Sequence, residues 1–252
     1  MAERKSIIEE FNSTKERRAR DSQRRLAMSS NITSVLFNEV EKIFAQSRAT
    51  VLELKERLTP INVFKKIVDK QAKTYLEEPK RKSEKIDPKD DEQINILEEM
   101  LMLNLMMQSV ESNLVASGRV LIEIMPAPGM FDVSVIESEY YMVHEIGGEI
   151  IQVLKAYRID EFDPAKSRFE LWNMTSVETI DGYGNILNSY ENVNQIIPFV
   201  NVSNVFSKSD SEDRDTLRLS KMIPIICSDI SYAIKYQAWS CLLYTSPSPR
   251  DS

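Results

Sequence analysis

Cysteine, histidine and glycine are scarce in this 252-residue chain, at two, one and six residues. Two cysteines cannot build a disulfide framework or a zinc site. The single His144 excludes any mechanism that needs a pair of histidines. No apolar run reaches the length of a membrane span, so no transmembrane helix and no membrane partner are expected. The opening Met-Ala-Glu-Arg-Lys leads into charge rather than an apolar run, which argues against a secretory signal. A Gly-rich phosphate loop, a nucleophile elbow, His-Glu-x-x-His and Cys-x-x-Cys are all missing. No catalytic, cofactor-binding or metal-binding residue is therefore assigned, no cofactor is expected, and the chain is read as a non-enzyme.

What is present is the composition of a soluble globular protein, 42% hydrophobic and 28% charged. The length suffices for one large domain or two small ones. Lys and Arg total 32 against 39 Asp and Glu, a net charge of −7. That balance argues against a protein that coats nucleic acid and says nothing of a local patch. All six glycines fall between positions 118 and 184, and residues 1–59 contain neither Gly nor Pro. Those two residues are the strongest breakers, so the first part is predicted helical and the centre strand-and-turn. The expected fold class is α+β: N-terminal helices, a central antiparallel strand meander and a C-terminal helix.

Residues 3–28 are highly charged, with only Ile7, Ile8, Phe11 and Leu26 as large apolar groups. They read as one helix with a thin apolar face, peripheral or packed on a partner. Ile32, Val35, Leu36, Val40, Ile43 and Phe44 repeat at helical spacing behind a cap at Asn31, and Val51, Leu52, Leu54 and Leu58 continue the pattern. Thr59-Pro60 reads as a cap and first turn for the stripe Val63 to Leu76, which ends at Glu78-Pro79. A charged loop over 80–92 precedes a long helix from about 91 to 117, closed by Gly118. Its methionines 100, 102, 106 and 107 suit a core or a subunit interface. Period-two alternation then marks strands at 120–124, 131–135, 141–143, 150–157, 169–179, 186–190 and 196–202. Gly147-Gly148 and Asp181 to Gly184 are hairpin turns. A polar loop at 207–215 leads to a helix over 216–240, with Pro224 as a break or restart.

The carboxylates Glu137, Glu139, Asp160, Glu161 and Asp163 could form a paired or metal-binding site only if two or more met on one concave surface. Asp160-Glu161-Phe162-Asp163-Pro164 is more simply an acidic turn. His144 reads as a surface or packed strand residue. Gly182-Tyr-Gly184 is a turn with no following helix or lysine, and Cys227 reads as core. Lys15, Arg17, Arg18, Arg20, Arg24 and Arg25 lie within eleven residues. On a helix the five arginines span a sector of roughly 160°. That face suits phosphate or acid binding, but a solvated helix or a subunit contact is the simpler reading.

Two resemblances bear on the whole. Cys241 to Ser252 resembles translated sequencing-adapter read-through, matched from Cys241 to Asp251. On that reading the natural sequence departs near Ser240 and 241–252 is disordered. Four segments of the remainder resemble the N-terminal half of tailed-bacteriophage portal proteins. They are Leu58-Thr-Pro-Ile-Asn-Val-Phe-Lys-Lys-Ile-Val-Asp69 with Tyr75 and Glu78-Pro79, and Ala116-Ser-Gly118-Arg-Val-Leu-Ile. The other two are Glu137-Ser-Glu-Tyr-Tyr-Met-Val and Gln195-Ile-Ile-Pro-Phe-Val-Asn-Val-Ser-Asn204. Ser138 stands where the family often differs.

The resemblance implies a helical wing region at 1–117, a β-rich wing region at 118–205, and a loop and helix at 206–240 leading toward a missing stem. It implies a structural ring subunit, a dodecamer in full-length form, at one capsid vertex of the virion, assembled in the host cytoplasm. Double-stranded DNA would pass through its channel without sequence specificity, during packaging and genome ejection. The net acidity fits a channel that must not hold DNA tightly. Implied partners are the terminase packaging ATPase, head–tail connector proteins, and capsid or scaffold proteins. Two other readings stay open: a nucleic-acid-binding module using the Arg17–Arg25 helix, and a hydrolase with an unrecognised carboxylate site.

Overall fold

The structure, a computed structural model, describes residues 2–29, 32–43, 48–72, 96, 103–128, 130–203 and 210–244. The chain is α+β in the expected order, with helices first, antiparallel strands in the centre and a long helix last. It divides into two compact units, one of Met1–Ser22 and Asp69–Ser207 and one of Gln23–Val68 and Lys208–Ser252.

The first unit is built on two antiparallel sheets. β1 (Arg119–Ala127) lies between β2 (Met130–Ile136) and β8 (Phe199–Ser203). The strands β3 (Tyr141–Ile146), β4 (Glu149–Arg158), β5 (Arg168–Asn173), β6 (Ser176–Ile180) and β7 (Ile186–Glu191) form a meander in sequence order. Successive strand residues point to opposite faces, and here both faces are apolar. Met142, Leu154, Ala156, Phe169, Leu171 and Ile180 receive Ile7, Ile8 and Phe11 of α1 (Ala2–Ser13). On the other face Tyr141, Val153, Trp172 and Val177 meet Leu121, Ile136 and Phe199 of the three-stranded sheet. The outer side of that sheet, Val120 and Ile122, is covered by Val110 of α6 (Leu103–Ser117). The result is four layers: helix, sheet, sheet, helix. Edge-to-face rings tie them, Phe11 to Phe169 at 5.3 Å and Trp172 to Phe199 at 5.5 Å.

Glycine does the turning where expected. Gly118 (φ 75°) ends α6, its N–H donating to the Leu114 carbonyl at 2.8 Å. Gly147 and Gly148, at φ 64° and 87°, join β3 to β4.

The second unit holds the last part of α2 (Lys15–Met28), then α3 (Ile32–Ile43), α4 (Arg48–Arg57), α5 (Val63–Gln71) and α7 (Asp210–Tyr244). Val40, Val51 and Ile225 form its core, with Leu54 and Leu58 against it. The Thr59 N–H donates to Ser228 Oγ at 2.9 Å, and Lys221 Nζ reaches Glu39 at 3.3 Å.

Several expectations need correction. The helix over 3–28 is two helices. It breaks at Thr14, whose hydroxyl donates to the Phe11 carbonyl at 2.7 Å and so competes with the helical ladder. Its thin apolar face is not peripheral: three large side chains suffice because each is almost fully buried against the sheet. The cap of α5 is Asn62, whose Oδ1 accepts the Lys65 N–H at 2.8 Å, rather than Thr59. The strand over 169–179 is two strands, because Asn173 Oδ1 accepts the N–H groups of Thr175 and Ser176 and turns the chain. α7 runs through Pro224 without a break and continues past Ser240 to Tyr244, so 241–244 is helical rather than disordered. Cys-Leu-Leu-Tyr contains no breaker, and the next proline is Pro247. The helical region 1–117 does not form one body, since α1 and α6 serve the sheets while α3 and α4 pack with α7. Phe44, Asn31, the stretch Tyr75 to Pro79, the loop 80–92, and Met100 and Met102 lie outside the described residues.

Arg4 of α1 pairs with Glu178 of β6, with Nη2 donating to Oε1 at 2.7 Å. This hydrogen bond holds the Glu178 carboxyl below the usual glutamate range, against the opposing effect of burial. A carboxyl depressed in the folded state contributes stability that is full above its unfolded pKa and lost as pH falls through the folded one. Urea titrations between about pH 3 and pH 6 should show a shallower acid loss in Glu178→Gln than in the parent. Phe11→Ala removes the ring that plugs the helix-facing side of the sheet. It should cost about 3–5 kcal/mol in the same assay; a loss below about 1 kcal/mol would show that α1 is dispensable.

Candidate functional site

An open cleft of about 740 Å³ runs along α2 in the first unit. Lys15, Arg18, Ala19 and Ser22 line it, a spacing that places all four on one helix face. The turn before β3 adds Glu139 and Tyr140. The end of β4 and the turn after it add Tyr157, Ile159, Asp160, Glu161 and Pro164, and β5 adds Phe169. The Gly182 N–H donates to the Pro164 carbonyl at 2.9 Å. A Cβ at Gly182 would stand 2.6 Å from that oxygen, so only glycine fits there.

The structure brings Asp160, Glu161 and Asp163 together, but as a turn. Asp160 Oδ1 accepts the N–H groups of Phe162 at 3.1 Å and Asp163 at 2.9 Å. Asp163 Oδ1 accepts that of Ala165 at 3.1 Å and caps the short helical turn Pro164–Lys166. The backbone N–H groups of Asp163 and Phe162 hold the Asp160 carboxyl below its ordinary value. Its Oδ1 is committed to the loop, and its Oδ2 lies 3.7 Å from Arg158 Nη2. Among the described residues no cluster of three His, Cys, Asp or Glu side chains could hold a metal ion.

The basic segment 15–25 is unevenly buried. Arg18 and Arg24 are buried, and Arg17, Arg20, Arg24 and Arg25 all have partners. The five arginines are therefore not one uniformly solvated face. Asp21, on the same helix, is buried and sits 3.2 Å from Arg119 Nη2, which also donates to the Ser138 carbonyl at 3.1 Å. Burial pushes the neighbouring Tyr141 hydroxyl up to about 12. His144, half-exposed on β3, lies 3.1 Å from the Glu10 carboxylate of α1. Cys227 is exposed rather than core. Cys227 lies at the edge of the buried side of α7, which holds Leu217, Ser220, Lys221, Pro224, Ile225 and Ser228.

A polar network between the two sheets was missed. Lys155 Nζ donates to both oxygens of Glu123, at 2.6 and 2.7 Å, and Ser134 Oγ donates to the same carboxylate at 2.9 Å. In register with Lys155 stands Glu170, which accepts from Tyr157 Oη at 2.7 Å, Trp172 Nε1 at 2.8 Å and Tyr190 Oη at 3.2 Å. Burial and then the Glu170 hydrogen bond raise the Tyr157 hydroxyl well above its ordinary range. The available signal was a lone carboxylate inside an apolar strand, Leu121-Ile-Glu-Ile124 and Phe169-Glu-Leu-Trp172. Both carboxylates accept from side chains on other strands, with Trp172 adding a bond from within β5, so the network reads as structural.

No protein-family model matches the chain, and no curated protein matches it.

Removing one partner of a buried ion pair leaves the other uncompensated. Lys155→Met should cost about 3–5 kcal/mol in chemical denaturation, and the double change with Glu123→Leu should recover most of it. A double-variant loss equal to the sum of the two single-variant losses would mean the two groups are not coupled.

Proposed function

We propose that the chain is a structural ring subunit of a phage portal, contributing its outer wing and the start of its stem, and that it has no catalysis of its own. The observation that carries this reading is α7. Its inner side is buried in the second unit, yet Leu219, Ile223, Ile226, Ile230 and Ile234 form a second apolar stripe that is exposed. These positions recur every three or four residues, about 22 Å of helix surface. An exposed stripe of that length calls for a covering partner. A cyclic ring supplies one, because each subunit presents one surface to a different surface of the next.

Support also comes from the order of elements. A helix closed by Gly118 leads into a strand, a meander follows, Ile197-Pro-Phe199 enters the last strand, and a long helix ends the series. On this reading the partners are a DNA-packaging ATPase, head–tail connector proteins, capsid or scaffold proteins, and double-stranded DNA in transit. The virion vertex is its place. The competing modules have less support, since four of the five arginines have partners, the fifth is buried, and the acidic turn is committed to its own backbone.

The product of the complete open reading frame should appear in electron micrographs as uniform rings with a central channel. Ile226→Glu with Ile230→Glu should leave helix content intact by circular dichroism and abolish rings in light scattering, because both side chains are exposed in the single chain. A parent protein that stays monomeric at micromolar concentration would overturn the reading.

A further inference from the structure

The floor of the α2 cleft contains an arginine whose needs the protein does not meet. Arg18 lines the cleft yet is only 8% exposed. Its guanidinium carbon stands 3.9 Å from the centre of the Phe11 ring, so one face of the plane is fixed against an aromatic wall. Its Nε is buried with no hydrogen-bond partner among the described residues. Glu139 and Glu161 act on it through space. Burial, and next the neighbouring Arg17, nevertheless prevail and lower its affinity for its proton. A buried cation in this condition is stabilised by an incoming anion.

We propose that this cleft binds an organic carboxylate with an apolar body, the carboxylate seated on Arg18. A guanidinium presents a planar fork that matches a carboxylate. The rest of the cleft supplies apolar contact through Tyr140, Tyr157, Ile159, Pro164 and Phe169. Its volume, about 740 Å³, is that of a pocket for a drug-sized molecule and far exceeds a bare ion. The charge balance selects against a phosphate dianion. Glu139, Asp160 and Glu161 share the cleft with only Lys15 and Arg18, and Lys15 lies 3.5 Å from Glu161. One negative charge is welcome at Arg18 and a second meets carboxylates. A free acid and the C-terminal carboxylate of a peptide offer the same chemistry. The proposal is independent of the portal reading, because it concerns the first unit alone.

Ligand-observed NMR and calorimetry on the whole chain would test it with 3-phenylpropionate, 3-phenylpropionamide, phenyl phosphate, and Gly-Gly-Phe with a free or amidated C-terminus. Both carboxylates should bind, with the amides and the phosphate at least about tenfold weaker. Binding of the free acid alone would assign the site to small acids, and binding of both would extend it to peptide termini; either supports the proposal. Arg18→Lys keeps the charge but loses the fork and should weaken binding about tenfold. Should that variant unfold, Ala19→Phe leaves Arg18 in place and fills the cleft from an exposed helix position; it should block binding with an unchanged melting temperature. Equal binding of acid and amide, undiminished binding in Ala19→Phe, or no carboxylate binding at about 10 mM would overturn it.

Discussion

A sheet that is apolar on both faces has to be covered twice, and in the first unit that requirement organises everything else. The five-stranded meander presents Phe169 and Leu171 to one side and Trp172 and Val177 to the other. Neither set can be left in water, since burying each large side chain is worth about 1.5–3 kcal/mol. The three-stranded sheet covers one side and α1 the other. The smaller sheet then needs its own cover, which α6 provides. A sparse, charged N-terminal helix thus becomes an integral layer, with Phe11, Ile7 and Ile8 supplying nearly all of its apolar contact.

Covering a sheet twice leaves few places for charge, and the structure treats each buried charge separately. Glu123 is neutralised by Lys155 and Glu170 is surrounded by three donors. Asp21 is met by Arg119. Isolated charges in such surroundings cost several kcal/mol each, and pairing offsets that cost, between the two sheets in the case of Glu123 and Lys155. Arg18 departs from the pattern: it has an aromatic wall and distant carboxylates, and a cleft beside it. An unmatched charge next to open volume is the arrangement that a ligand completes.

The second unit poses the complementary problem. α7 has more apolar surface than its own helices bury, for Ile226 and Ile230 face away from the side that holds Leu217 and Ile225. A subunit of an assembly has reason to carry such a surface and an isolated domain has none.

Periodicity and breakers were enough to read the class, the order of elements, the glycine turns at Gly118 and Gly147-Gly148, and the acidic turn at Asp160, because each depends on neighbours within a few residues. The turn at Asn173 was just as local but escaped notice inside an apolar run. What the sequence left undecided was which faces meet. Alternation at Val120, Ile122 and Ile124 marks one buried side of β1, and the only local sign that Leu121 and Glu123 are buried as well is the apolar run in which that carboxylate sits. The arginines of α2 look alike on a helical wheel. Only the placement of Phe11 and the β4–β5 turn separates Arg18, walled into a cleft, from its neighbours with partners. Pairings such as Glu123 with Lys155, or Arg4 with Glu178, join positions far apart in the chain, and the free energy that selects them exists only once the layers have closed.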